Sequence, residues 1–318
     1  MAFSPRKIGI IGSGLIGRSW AMIFASADYK VVVYDNSAAQ LSNAKEEIDK
    51  QLHGLSEQNL LRGDIPVQKQ IENIEFTTNF DACTKGAKYI QECIPELIDL
   101  KRKIFNDLDN VMSDESIVGS STSAIPSSRF TNGLKHKSRM LVVHPTNPPY
   151  YVPLTELVPA PWTDSDVVDE VYRLMQEIRQ VPVKLTKEVY GFVLPRVHHA
   201  VLMESWKMVQ DGIISIEDVD KVMSDGLGTR YAFMGPLETR HLNFKGGFKD
   251  GCKPHVWEVS NDSGPNARLE GPLLEIIQED FNKRIPLETL AERRAWRDTR
   301  IAALSKFKRD MSNCDNNA

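Results

Sequence analysis

In the stretch HPTNPPYYVPLTE an imidazole, His144, and a carboxylate, Glu156, stand twelve residues apart. A neutral imidazole accepts a proton near pH 7, since its unperturbed pKa is about 6.5. A carboxylate behind it fixes the tautomer and stabilises the imidazolium that forms. Such a pair suits removal of a hydroxyl proton. Ser123, closing SSTS at 120–123, and Asn147, just past the histidine, add a hydroxyl and an amide that can hydrogen-bond a substrate oxygen.

What such a base would serve is set near the start of the chain. KIGIIGSGLIGRSWAMIFASADYKVVVYD carries Gly12, Gly14 and Gly17 in G-x-G-x-x-G spacing, after a strand-like run and opening an apolar-periodic helix. A second strand-like run ends at Asp35, eighteen residues past Gly17. The context predicts a dinucleotide-binding turn: Gly12 permits the tight bend, Gly14 lets the backbone approach a pyrophosphate, and Gly17 lets the helix close on the sheet. The helix start holds the anion, with Leu15 and Ile16 inside the motif counted as cofactor contacts. Asp35 would accept hydrogen bonds from both adenosine ribose hydroxyls and repel a 2′-phosphate, so NAD is expected over NADP. Arg18, beside the last glycine, reads as a surface residue and leaves that choice standing.

These residues need a frame. KIGII, KVVVY, KYIQEC, SIVGSS, RMLVV and VPVKL read as strands, with helical periods between them. That alternation implies a mostly parallel sheet covered by helices, because parallel strands need long crossovers. His144 then follows a buried strand at its carboxyl end, where open α/β sheets bind ligands. Glu156 lies in LTELV, a short strand-like run from which the chain can turn back on His144. Past Glu188 the strand signal fades, and helices are expected at about 190–211, 215–225, 267–281 and 286–310, with a long loop at 240–266. The fold class is therefore α/β: a Rossmann-type dinucleotide-binding domain over 1–188 and a mainly α-helical domain over 189–318.

Composition narrows the partners. Lys+Arg 39 against Asp+Glu 43 leaves a net charge of −4, which argues against nucleic acid as a partner. No segment approaches the ~20 apolar residues of a membrane span, and no leader is read at the N-terminus. Cys83, Cys93, Cys252 and Cys314 form no C-x-x-C pair, so neither a metal site nor a disulfide framework is expected and a cytoplasmic location is. His198 and His199 are adjacent on a helix and point to different faces, which disfavours a two-histidine metal site.

The glycine motif with Asp35, IQECIPE at 90–96, SSTS, HPTNPP with LTELV, and GFVLPR at 191–196 together resemble the 3-hydroxyacyl-CoA dehydrogenase superfamily, over nearly the whole chain. The resemblance implies a Rossmann domain followed by a helical domain that makes a homodimer, with a His–Glu catalytic pair at His144 and Glu156. It implies substrate contacts at Ser123 and Asn147, and places Glu96 on the acidic residue near the nicotinamide. One departure is Pro195, where the superfamily motif G-F-x-x-N-R has an asparagine facing the substrate. Inside a helix a proline costs about 3 kcal/mol, so either the helix starts late or substrate handling differs.

The substrate follows from charge. An acyl-CoA carries several phosphates, yet residues 41–66 hold three cations (Lys45, Lys50, Arg62) against five carboxylates. That favours a small hydroxy acid, and the resemblance singles out oxidation of L-gulonate at its 3-hydroxyl. Its carboxylate would need a fixed cation, which a guanidinium supplies bidentately. Arg230, in GLGTRYAFMGP, is assigned that part. The alternatives are a 3-hydroxyacyl-CoA or carnitine-type dehydrogenase, and an NAD-binding structural protein with little turnover.

Overall fold

The computed structural model describes residues 7–252 and 271–297 together with residues 300, 304 and 307. Eight strands form one sheet: β1 (Lys7–Ile11), β2 (Lys30–Tyr34), β3 (Ile74–Thr77), β4 (Tyr89–Glu92), β5 (Ile117–Ser120), β6 (Met140–Pro145), β7 (Leu154–Pro159) and β8 (Val181–Lys184), in the order β3-β2-β1-β4-β5-β6-β7-β8. The strands from β3 to β6 run parallel, and β7 reverses against β6 while pairing parallel with β8. The apolar runs of the sequence become strands because helices cover both faces and bury them. Six strands match the expected runs, and β7 is the reversed LTELV.

Helices α1 (Leu15–Ser26), α2 (Ala38–Glu57), α3 (Val67–Glu72), α4 (Phe80–Thr84), α5 (Ile98–Val111), α6 (Ser128–Thr131) and α7 (Ser165–Glu177) make the crossovers. Helix α1 is buried on most of its surface, from Gly17 and Trp20 through Ser26, and packs with Tyr89 and Leu141 into the larger core. The opposite face of the sheet packs Ile11 and Ile90 against Phe105 and Phe130. Chain reversals at strand ends and turns use left-handed backbone where Asp28, Asn59 and Arg179 lie.

By internal contacts the chain divides into two compact units at His199/Ala200, inside α8 (Leu194–Gln210). The first unit contains the entire sheet. The second, in its described residues, is built of α9 (Ile216–Lys221), a π turn at Val222–Leu227, α10 (Gly228–Tyr231), α11 (Pro236–Asn243), α12 (Gly247–Gly251), α13 (Pro272–Arg284) and a helical run at 290–297. Met234, Leu242, Phe248, Phe281 and Leu290 form its core. The long loop expected at 240–266 holds the end of α11 and the whole of α12, because Leu242 and Phe248 find apolar partners that a count of glycines hides. Its remainder with Trp257, parts of the last expected helix, and Cys314 lie outside the described residues. No helix among the described residues is long and apolar enough to cross a membrane.

Candidate active site

The glycine turn is built as its spacing requires. Gly12 holds φ at +101°, and a Cβ there would meet the Cys93 carbonyl oxygen at 2.8 Å. A Cβ on Gly17 would stand 1.9 Å from the Gly12 carbonyl oxygen, so only glycine lets α1 close on the turn. Gly14 caps α1 and has nothing within 4 Å of a Cβ, which leaves its backbone open for close approach. Asp35, at the end of β2, accepts from the Ser13 backbone N–H at 3.0 Å, the Ser13 hydroxyl at 2.8 Å and the Ser37 backbone N–H at 3.1 Å. Along this edge runs a cavity of about 790 Å³, lined by Gly14, Leu15, Ile16, Asp35, Ile94 and Ile104 among others. An open helix start, a fixed carboxylate one strand away and apolar walls fit a dinucleotide, with pyrophosphate at Gly14 and ribose at Asp35. Ser13 escapes a reading that counts glycines alone, although it sits inside the motif.

Antiparallel pairing of β6 and β7 puts His144 directly opposite Glu156. The His144 Nδ1 lies 2.8 Å from Glu156 Oε2, both side chains buried. The other carboxylate oxygen accepts the backbone N–H groups of Val193 and Leu194 at 2.9 Å each. Burial by itself would raise the Glu156 pKa, but the His144 hydrogen bond and these two N–H donors outweigh it and hold the carboxyl below its usual range. With Nδ1 engaged, an imidazole so held can take a proton at Nε2. Phe192, fully buried with φ at +44°, sets its ring 5.6 Å from the imidazole. Left-handed backbone in so bulky a residue is strained, and it persists where packing fixes it.

Helix α8 starts at Leu194, which puts Pro195 in its first turn. An N–H there has no partner within the helix, so the proline costs no intrahelical hydrogen bond. The late helix start expected as one resolution of this departure is the arrangement found. Pro195 still offers no amide to a ligand.

Ser123 and Asn147 are both exposed, the first just beyond β5 and the second just beyond β6, on adjacent parallel strands. Glu96 follows β4. Its Oε1 accepts from the Thr122 hydroxyl and from the backbone N–H groups of Ser123 at 3.2 Å and Ala124 at 3.3 Å. The loop that carries Ser123 is thus shaped by Glu96. Beneath it lies an ion pair that the sequence did not announce: Lys101 Nζ sits 2.9 and 3.0 Å from the two oxygens of Glu92, with both residues buried. The Ser120 hydroxyl and the Ile94 backbone N–H also donate to Glu92. Lys101 Nζ reaches Glu96 at 3.8 Å. A lysine on an amphipathic helix reads as a solvated residue in sequence, and only burial reveals the pair.

Arg230 belongs to the second unit, exposed on α10, with Thr229 buried beside it. It stands on a short helical turn. His198 and His199 are exposed on α8, and no group of three or more His, Cys, Asp or Glu among the described residues is placed to hold a metal ion.

Residues 7–189 match the family described as 3-hydroxyacyl-CoA dehydrogenase, NAD binding domain, and residues 191–260 match 3-hydroxyacyl-CoA dehydrogenase, C-terminal domain. A lambda-crystallin homolog of Rattus norvegicus is 45% identical over 306 residues, spanning 95% of this chain and 96% of that one. A 3-hydroxyacyl-CoA dehydrogenase of Gibberella moniliformis is 32% identical over 95% of this chain and 86% of its own length. The crystal structure of the 3-hydroxyacyl-CoA dehydrogenase from Archaeoglobus fulgidus superposes with a TM-score of 0.72 at 25% identity, covering 95% of this chain and 98% of that one. The glycine turn and Asp35 therefore sit in an NAD-binding domain, followed by a helical domain of the same lineage, and the chain belongs to the 3-hydroxyacyl-CoA dehydrogenase family.

Proposed function

We propose that the chain oxidises the 3-hydroxyl of a small hydroxy acid, with L-gulonate the first substrate to test and 3-dehydro-L-gulonate the product. The observation that carries this reading is the buried His144–Glu156 pair at the carboxyl end of β6, in a chain with an NAD-binding turn. NAD+ supplies the hydride acceptor. His144 takes the hydroxyl proton at Nε2, and Glu156 stabilises the imidazolium through Nδ1. Ser123 and Asn147 hydrogen-bond the substrate oxygen, Glu96 holds the loop near the nicotinamide, and Arg230 supplies the cation for the carboxylate.

The choice of a small acid over an acyl-CoA is supported by Arg62. Of the three cations in residues 41–66 it is the one turned inward, donating to the carbonyls of Tyr150 at 3.0 Å, Ile178 at 3.1 Å and Arg179 at 2.8 Å. Burial lowers its pKa, and its charge is spent on the fold. That leaves two exposed lysines, Lys45 and Lys50, among the carboxylates of the same helix α2, a poor cradle for CoA phosphates.

The second reading, a 3-hydroxyacyl-CoA dehydrogenase, is favoured by the name of the 32% identical Gibberella moniliformis relative. Pro195, with no amide for a substrate, favours a third, an NAD-binding protein with little turnover. We place the chain in the cytoplasm, in keeping with the free thiols of Cys83, Cys93 and Cys252. We also propose a homodimer through the second domain, supported by the exposed Leu202, Met203 and Trp206 of α8.

The deciding experiment measures NADH formed from L-gulonate and NAD+, beside NADP+, and NADH consumed with acetoacetyl-CoA. Turnover on L-gulonate with a preference for NAD+ supports the reading. Turnover on acetoacetyl-CoA alone replaces it with the second, and tight NADH binding with no turnover on either replaces it with the third.

A further inference from the structure

Glu156 faces His144 with one oxygen only. Its other oxygen is taken by two backbone N–H groups, those of Val193 and Leu194, at 2.9 Å each, where α8 begins. A backbone N–H donates and cannot accept, and no substitution short of proline removes it. The chain enters this point through left-handed backbone at Gly191 and Phe192, and Phe192 packs with Val142 and Val158 beneath the imidazole. Pro195 follows with no N–H of its own, so the first donors of the helix are given to one carboxylate oxygen.

From this we infer that the opening of α8 is a positioning device for the dyad. Val193 and Leu194 hold one oxygen of Glu156 in place so that the other is presented to His144 Nδ1, whose proton it accepts. The inference rests on the reading of His144 as base, and it concerns the proton's place rather than the substrate.

The consequence is directional. A glutamine at 156 has nearly the shape of the glutamate but one end that accepts and one that donates. The two N–H groups would hold the amide oxygen, turning the NH2 toward Nδ1. Nδ1 must then accept, the ring proton moves to Nε2, and the nitrogen that should take the substrate proton is already filled. An amide held by nothing would instead turn its oxygen to the Nδ1 proton and keep the working tautomer.

The test compares wild type, Glu156→Gln, Glu156→Ala and His144→Ala in kcat with L-gulonate and NAD+, using NADH binding to check that each is folded. Ring 15N shifts of His144 report where the proton lies. Expected are a proton on Nδ1 in the wild type and on Nε2 in Glu156→Gln. A loss of kcat of roughly 10³–10⁴-fold should accompany the shift, as for other bases given the wrong tautomer, with glutamine no better than alanine. A Glu156→Gln enzyme faster than Glu156→Ala, or one with the proton still on Nδ1, overturns the inference. If the variants do not fold or L-gulonate does not turn over, the ring shifts of the unmutated protein decide, and a proton on Nε2 overturns it. Full activity in His144→Ala would remove the base reading itself while leaving the tautomer result to stand, so the two failures can be told apart.

Discussion

Asp35 and the Glu92–Lys101 pair show two different uses of charge. Asp35 is oriented by Ser13 and Ser37 with its edge on the cavity beside the glycine turn. Losing the proposed ribose contacts should cost about 1–3 kcal/mol. Asp35→Ala is therefore expected to raise KM for NAD+ about 10–100-fold while NADP+ loses less, narrowing the ratio of kcat/KM between the cofactors; an unchanged ratio would take Asp35 out of cofactor choice. Lys101 and Glu92 instead neutralise each other out of water. Lys101→Met strands a buried carboxylate and should cost about 3–5 kcal/mol in urea unfolding, whereas Lys101→Met with Glu92→Leu should recover much of that loss. The sequence made His144 and Glu156 legible because each lies in a strand-like run at a spacing that allows a return. It hid Lys101, since a lysine announces its burial only through a partner nine positions away.

At the scale of elements, His136 ties α5 to the approach of β6. Its Nδ1 lies 2.9 Å from Asp109 and its Nε2 2.9 Å from Asp114, and the backbone N–H groups of Lys135 and His136 donate to Asp109. Burial alone would raise the Asp109 pKa, but these donors together with His136 bring it below the ordinary aspartate value. A carboxyl depressed in the folded state stabilises fully above its unfolded pKa, about 3.9, and loses that contribution as pH falls through the folded value. Thermal stability should thus drop below about pH 4. Asp109→Asn should be less stable at pH 7 and lose less on acidification; a variant whose Tm tracks wild type at every pH would show the clasp to be idle. Helix α8 carries another element-scale expectation. Trp206→Glu, on the exposed face, should shift sedimentation from dimer toward monomer with NADH binding retained, and a monomeric wild type would remove the dimer proposal. Among elements, β3 went unread because four residues with a glutamate, at the edge of the sheet, leave little apolar period to detect. The helices α11 and α12 went unread because Gly246, Gly247 and Gly251 signal loop locally, whereas the stacking of His241 and Phe248 on Phe281 holds them helical.

For the whole molecule, cofactor binding and folding are linked, since a ligand bound only to the native state adds about 2.7 kcal/mol at 100 times its Kd. Gly14 and Gly17 divide that linkage. Gly14→Val meets open space in the chain and should leave the unliganded Tm nearly unchanged while abolishing the rise caused by NADH. Gly17→Val meets the Gly12 carbonyl and should lower the Tm of the unliganded protein itself. If both variants kept the NADH-induced rise, the turn would not be the cofactor site. The two-part α/β and helical plan was legible because periodicity changes near Glu188; the reversal at β7 was legible only as a turn, since direction in a sheet is set by neighbours far along the chain. That reversal has a further meaning. His144 and Glu156 are aligned by the rungs of the β6–β7 ladder, and residues 146–153 between them close it, with Tyr150 buried in the core and tied to Arg62. The exposed residues of that connection, Asn147 among them, can be rewritten by evolution or by an engineer as an exchangeable cassette, changing what is recognised while the proton chemistry is inherited intact.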